Sequence, residues 1–319
     1  MTSTDTKYTC SLCGRTVYKD IYQNEEVQYV MCENCSLISL YPRPTEEEYT
    51  HFYEREYQSY RHSITNYEQA VEGRKAKGFD LKKKYMVYVE PYLKKNSRVL
   101  EIGSGWGTFL KLIADTYKCD VRGVEISELA VRVAREHYGL SIEHKTLNDF
   151  TYRYKGEKFD VIIMMQVLEH IVDPNKGLKQ LASLLSNGGV AYIAVPNTMQ
   201  PNEPLDRFFH FEHVNYFSPY TLMKILEKNG LKIIWNKNNH DINIIVARAE
   251  HPSESINNSI RKGDYTKYKI RRKLENQRKK YAFLRIFKKG ARLLLTEPLF
   301  NNVRKIVVSG LKKLGIIKV

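Results

Sequence analysis

The stretch VLEIGSGWGTFL at residues 99–110 constrains the fold of this 319-residue chain more than any other. Val99, Leu100 and Ile102 read as a short buried strand, and Thr108 to Tyr117 as a helix with apolar spacing. Between them stand glycines at 103, 105 and 107. Glycines there let the chain turn sharply and bring bare backbone N–H groups against a ligand, with the helix N-terminus aimed at it. An acidic residue, Glu125, closes a second apolar run, Val121–Val124, 18 positions after Gly107. A carboxylate at the tip of the second strand of such a sheet is placed to hold the two hydroxyls of a ribose. An ordinary Gly-rich turn would account for the glycines alone, but not for the agreement of independent local signals.

Dinucleotide-binding turns prefer G-x-G-x-x-G, whereas the order here is G-x-G-x-G, opened by Glu101. Three later segments continue the alternation. KFDVIIMMQVLEHIVDP (158–174) holds a strand at Phe159–Met164, then Gln166, Glu169 and His170, then the helix-starting pair Asp173-Pro174. LLSNGGVAYIAVPN (184–197) reads as a helix end, a Gly188-Gly189 turn, a buried strand and a Pro stop. FEHVNYFSPYTLMKILEKNGLKI (211–233) has Ser218 as a helix cap, Pro219 in first position, Gly230 at the helix end and a strand after it. Strands alternating with helices predict an α/β fold: a doubly wound, mostly parallel, Rossmann-like sheet with ligands at the carboxyl ends of its strands.

The string E-x-G-x-G-x-G after a strand, with the segments just quoted, resembles class I S-adenosylmethionine (SAM)-dependent methyltransferases over about residues 75–248, in particular the broad group acting on small molecules, sugars and ubiquinone precursors. The resemblance implies SAM as cofactor. It sets Gly103, Ser104, Gly105 and Gly107, after Glu101, against the methionine part, Glu125 on the ribose, and Ile126 on the adenine. Thr146, Leu147 and Asn148 then run along the adenine edge, and Gln166 lines the methionine side. Core packing is the competing reading for Ile126 and Leu147, and capping of the next segment for Asn148 and Asp149.

Cys10-x-x-Cys13 and Cys32-x-x-Cys35, 18 residues apart, have the arrangement of a structural Zn²⁺ site. Each pair puts two thiolates on one tight turn, and two such knuckles complete a tetrahedral sphere with no open position. Residues 1–38 hold too little apolar material to fold unaided, so metal binding would supply the missing free energy. Two disulfides are the alternative, but no signal peptide precedes them and the only other cysteine is Cys119. A four-Cys module, an aromatic link (YPRPTEEEYTHFY, 41–53) and a SAM domain together resemble zinc-binding sugar C-methyltransferases and methyltransferases of surface-glycan assembly. The former carry a further α/β domain after the SAM domain, for which this chain has only about 70 residues left, so the broader glycan class fits better.

The charge is confined to one part. Residues 251–319 hold 19 basic and 4 acidic residues, the whole of the net +15, while the first 250 hold 32 of each. Residues 267–280 are almost continuously charged and helix-compatible. From Phe283, apolar residues recur near helical spacing (Leu284, Phe287, Ala291, Leu294, then Val303, Val307, Leu311 and Leu314) with Lys and Arg between them, and Pro298 should divide the stretch into two helices. A basic amphipathic helix reads as lying in an anionic membrane surface, here through residues 267–319. A helical hairpin packed on the domain or on a second copy is the bland alternative. Nucleic acid is disfavoured, since the stripe has no role there and stacking aromatics are sparse.

Methyl transfer to a hydroxyl needs a general base. His210 and His213, in LDRFFHFEHVNYF (205–217) after the fifth strand, come first because neutral imidazole suits the task, and His170 comes next. Asp206, Glu212 and Tyr216 share that segment. At LEHIVDP the chain also resembles ubiquinone-pathway O-methyltransferases, some of which hold a divalent cation with two glutamates and a histidine. Glu169 and His170 match, but Gln166 stands for the first glutamate and weakens the case for a catalytic metal. Tyrosines crowd residues 52–92, where Tyr57 and Tyr60 are placed to stack on cofactor or acceptor. The organisation expected is a zinc knuckle (1–40), helices covering the SAM pocket (41–95), a class I SAM domain (96–250) and a basic helical tail (251–319). The acceptor expected is a sugar, nucleotide-sugar or lipid-linked glycan, at the cytoplasmic face of a membrane; a lipid or quinone, RNA, or a non-catalytic SAM-binding scaffold are the alternatives.

Overall fold

The structure, a computed structural model, describes residues 8–74, 84–249 and 263–294. Two sheets organise it. The larger has seven strands: β4 (Arg98–Ile102), β5 (Asp120–Glu125), β6 (Ile142–His144), β7 (Phe159–Met165), β8 (Leu185–Pro196), β10 (Leu231–Asn238) and β11 (Asp241–Arg248). They stand in the order β10-β11-β8-β7-β4-β5-β6. The five strands from β6 to β8 are parallel, and β11 runs antiparallel to both its neighbours. β4 and β7 lie centrally with helices on both faces, so their middle residues are mostly apolar: Val99, Leu100, Val161, Ile162, Ile163 and Met164 are all buried.

The expected helix Thr108–Tyr117 is found, with Gly107 as its N-cap at φ +75. A Cβ on Gly107 would also lie 2.6 Å from Leu140, so only glycine fits by both conformation and space. Ser218 caps helix Pro219–Lys228 with a capping box, and Asp173 caps helix Pro174–Leu184 with Pro174 in its first turn. The strand expected after the Gly188-Gly189 turn instead continues without a break from Leu185 to Pro196, its register to β7 shifting between Phe159 and Val161.

The second sheet, β1 (Tyr18–Gln23), β2 (Gln28–Cys32), β3 (Ile38–Tyr41) and β9 (Asn215–Tyr216), departs from the modular reading. Three strands come from the knuckle and its exit, the fourth from the segment after the fifth parallel strand. Cys10, Leu12, Val30 and Leu37 join the same core as Leu178, Leu181, Leu222 and Leu226. The knuckle is thus built into the domain rather than strung in front of it.

The tail expectation is corrected in part. One helix runs Gly263–Leu294, and its first half is docked on the body. Ile270 and Leu274 are buried against Val27, Tyr29, Met31, Phe208 and Phe209. Gln277 donates to the carbonyls of Pro201 and Glu203 at 2.9 Å, and Arg271 bonds Glu33 at 2.9 Å. The apolar stripe from Phe283 onward and the break at Pro298 lie outside the described side chains and residues. Among the described residues no helix is long and apolar enough to cross a membrane.

Candidate active site

A cavity of about 490 Å³ opens at the carboxyl ends of β4, β5 and β7. One end is walled by the glycine turn and the acidic strand tip: Gly103, Ser104, Gly105, Trp106, Glu125, Ile126, Thr146, Leu147, Asn148 and Gln166. A Cβ on Gly105, at φ +51, would meet nothing within 4 Å, so the loop presents bare backbone to the cavity. The Glu125 carboxylate accepts the N–H groups of Gly105 (2.7 Å), Ile126 and Ser127 (both 2.8 Å). Burial pushes its pKa up and those three donors pull against the shift. The carboxylate therefore ties the glycine turn to the second strand at the spot where ribose hydroxyls would arrive. Thr146 caps helix Leu147–Arg153, and the side-chain Oδ1 of Asn148 accepts from Gln180 at 2.9 Å.

Two of the cofactor residues read from the sequence do not reach the cavity. Glu101 is buried in β4 beneath the turn, and Gly107 lies behind it at the helix start. Both shape the loop rather than line the site.

The other end is lined by Glu46, Tyr49, Thr50, Tyr53 and Tyr57 on one side and by His170 to Asp173, Lys176 and Gly177 on the other. Tyr57 lines the cavity. Tyr60 does not: it is 55% exposed and sits edge-on to Phe52 and Phe211 outside the cavity. Tyr49 is a lining residue that the sequence reading overlooked; its position four before Tyr53 on one helix was the available signal.

The histidines must be reordered. His170 lines the cavity, whereas His210 and His213 stand behind it, ring centroids 4.8 Å from His170 to His213 and 4.0 Å from His213 to His210. His170 Nδ1 lies 2.6 Å from both the Tyr53 hydroxyl and the Glu212 carbonyl. A carbonyl oxygen only accepts, so Nδ1 carries the proton and Nε2 is the basic nitrogen. Nε2 is 3.9 Å from the carboxylate of Glu169. Glu169 is buried, neither of its oxygens has a hydrogen-bond partner among the described residues, and burial pushes its pKa up to about 8. Glu169, His170 and His213 each offer a ligand atom within 4.8 Å of the others, and Gln166 is not part of this cluster. One carboxylate and two imidazoles could hold a divalent ion, which would occupy His170 Nε2 in place of a proton. Gln166 itself turns to Asp241 at 3.4 Å. Asp206 is exposed, and Tyr216 is buried with its hydroxyl on the Phe208 carbonyl, so neither serves as a base.

At the knuckle the four sulfurs converge, with Cys10–Cys35 at 3.4 Å and Cys13–Cys32 at 3.5 Å and all four within 4.8 Å of one another. Tetrahedral Zn–S bonds of about 2.3 Å set sulfurs about 3.8 Å apart, so the set fits a structural zinc ion. Each knuckle closes alike, with Gly14 and Ser36 at positive φ donating to the carbonyls of Cys10 (2.8 Å) and Cys32 (3.0 Å). Cys119 stands apart on the main sheet's side.

The sequence model of a family described as a methyltransferase domain matches residues 74–235, just over half of the chain. Two curated relatives, both ubiquinone biosynthesis O-methyltransferases, are the protein of Bartonella quintana, 29% identical over 154 residues, and that of Roseobacter denitrificans, 32% identical over 157. Each alignment covers 44% of this chain and 62% of the relative. Among solved structures, a SAM-dependent methyltransferase from Archaeoglobus fulgidus superposes with a TM-score of 0.45 at 19% identity, covering 52% of this chain and 93% of that one. The magnesium protoporphyrin IX methyltransferase of Synechocystis gives 0.46 at 16%, covering 64% and 100%. With the family match joined to a sheet that puts a glycine turn and an acidic strand tip on one cavity, the chain belongs to the class I SAM-dependent methyltransferases.

Proposed function

We propose that the chain transfers the methyl group of SAM to a hydroxyl oxygen of a phenolic or quinone-type acceptor. The observation that carries this reading is a single cavity with the glycine turn and Glu125 at one end, three tyrosines at the other and His170 lining it as well. Transfer from the sulfonium is an in-line displacement, for which the protein's task is to align donor and acceptor and exclude water. When bound, SAM supplies the activated methyl. Glu125 and the glycine turn, where Gly105 leaves the cavity open for want of a side chain, hold it, while Tyr49, Tyr53 and Tyr57 offer flat faces to an aromatic acceptor.

His170 Nε2 takes the hydroxyl proton. A neutral imidazole, with an ordinary pKa of about 6.5, is far better matched to a phenol near 10 than to a sugar alcohol. The names of the curated relatives point the same way. The glycan reading keeps one specific support, the four-cysteine module in front of the domain. A membrane-surface location, suggested by the charge of residues 251–319, would bring a lipid-borne acceptor to the site.

The test is methyl transfer from labelled SAM to two acceptor sets: polyprenylated catechols and phenols in anionic vesicles, and nucleotide sugars in solution. Labelled phenolic ether, abolished by His170→Ala, is expected. Label in the sugars alone would overturn the assignment.

A further inference from the structure

The stretch 208–213 follows no regular ladder, and its shape is set by tyrosine hydroxyls. Tyr29, fully buried on β2, places its hydroxyl 2.7 Å from the carbonyl of His210 and 2.6 Å from that of His213. Its one proton is shared between these two acceptors. Tyr49 donates to the Phe211 carbonyl, Tyr53 to that of Glu212 at 3.2 Å, and Tyr216 to that of Phe208. Five carbonyls in a span of six residues are thus held by four side chains.

Tyr29 differs from the other three in where it is rooted. It stands three residues before Cys32 on the same strand. Its ring packs on Phe209 at 5.0 Å and edge-on to Tyr216 at 5.2 Å, and it has no room to swing away. The strand it sits on is pinned at its far end by the cysteine cluster. It is pinned again where Arg271 bonds Glu33, inside the second knuckle. A second tie runs through the backbone, since β3 leaves the second knuckle and pairs with β9 just beyond His213. The knuckle thus reaches the histidine loop by two ties, Tyr29 and the β3–β9 pairing, beside its separate contact with helix Pro174–Leu184, where Asn175 donates to the Ser11 carbonyl at 2.7 Å.

We propose that Tyr29 is a positioning residue through which the four-cysteine module sets the placement of His210 and His213 behind His170. The module then acts on the reaction by shaping the acceptor wall, not by binding the acceptor. The inference deepens the methyl-transfer reading and rests on it.

Tyr29→Phe keeps the ring and removes the hydroxyl, and the full-length variant can be compared with wild type by NMR with ¹³C label in the histidine rings. The ring signals of His170, His210 and His213 are expected to move or broaden, while those of His137 and His144, remote from the knuckle, stay in place. SAM affinity by calorimetry should remain within about twofold. Stripping the wild type with a zinc chelator should disturb the same three signals, and Zn²⁺ should restore them. Unmoved signals for all three histidines in Tyr29→Phe, or equal movement of His137 and His144, would overturn the proposal. Failure of the wild type to bind SAM would instead strike the methyl-transfer reading and leave the positioning result to stand on the spectra.

Discussion

Glu125 and His170 show how differently two residues yield to sequence reading. Glu125 stands at a fixed distance from a glycine turn, so its place at the cavity follows from strand and helix lengths alone. His170 is defined by partners far along the chain, Tyr53 and Glu212, and no spacing rule reports them. The same holds for the tyrosines, which read as packing aromatics until their hydroxyls are seen on carbonyls some 160–180 residues away. At this scale, His170→Ala should lower kcat by about 10²–10⁴ with SAM affinity unchanged, measured by single-turnover transfer and calorimetry. Glu169 gives a pH prediction. A carboxyl raised from its ordinary value to about 8 by burial contributes stability that is full below pH ~4.5 and is lost as pH rises through 8. Without added divalent metal, Glu169→Gln should therefore raise Tm more at pH 8.5 than at pH 5.5; equal shifts at the two values would contradict the burial argument.

Elements built by local signals were legible. Helix Thr108–Tyr117 has the bounds its spacing predicts, and the caps at Asp173 and Ser218 start helices where expected. The 263–294 helix was legible as a helix, but its docking stood only as the alternative to a membrane surface. Its charges drew attention outward, while the contacts that hold it come from Ile270, Leu274 and Gln277, on one face at helical spacing. Leu274→Ala should cost about 2–3 kcal/mol, within the range for truncating a buried leucine. Urea unfolding would read it, and limited proteolysis should then cut within residues 263–282 sooner than in wild type. An unchanged midpoint and cutting pattern would show that this face contributes nothing to stability.

Across the whole molecule, the sequence divides into a metal module, a catalytic domain and a basic stretch, but the fold joins them. β9 completes the knuckle's sheet, and the 263–294 helix packs over that same sheet. Such joining is invisible to composition, because it depends on a two-residue strand and on side-chain bonds between distant segments. It predicts that metal loss is felt beyond the knuckle. Cys32→Ser should lower zinc content from one ion per chain to none by elemental analysis. It should also lower the Tm of the catalytic domain, whose core includes Cys10, Leu12, Val30 and Leu37. A wild-type Tm in a zinc-free variant would return the knuckle to the status of an independent appendage.

The glycine turn and Glu125 together form the SAM site, which calorimetric titration of SAM into wild type and Glu125→Ala would test. One SAM per chain is expected in the wild type. In the variant, affinity should fall at least tenfold, about 1.4 kcal/mol, with the fold retained by circular dichroism. Equal affinity in the two proteins, or no binding to the folded wild type, would contradict it.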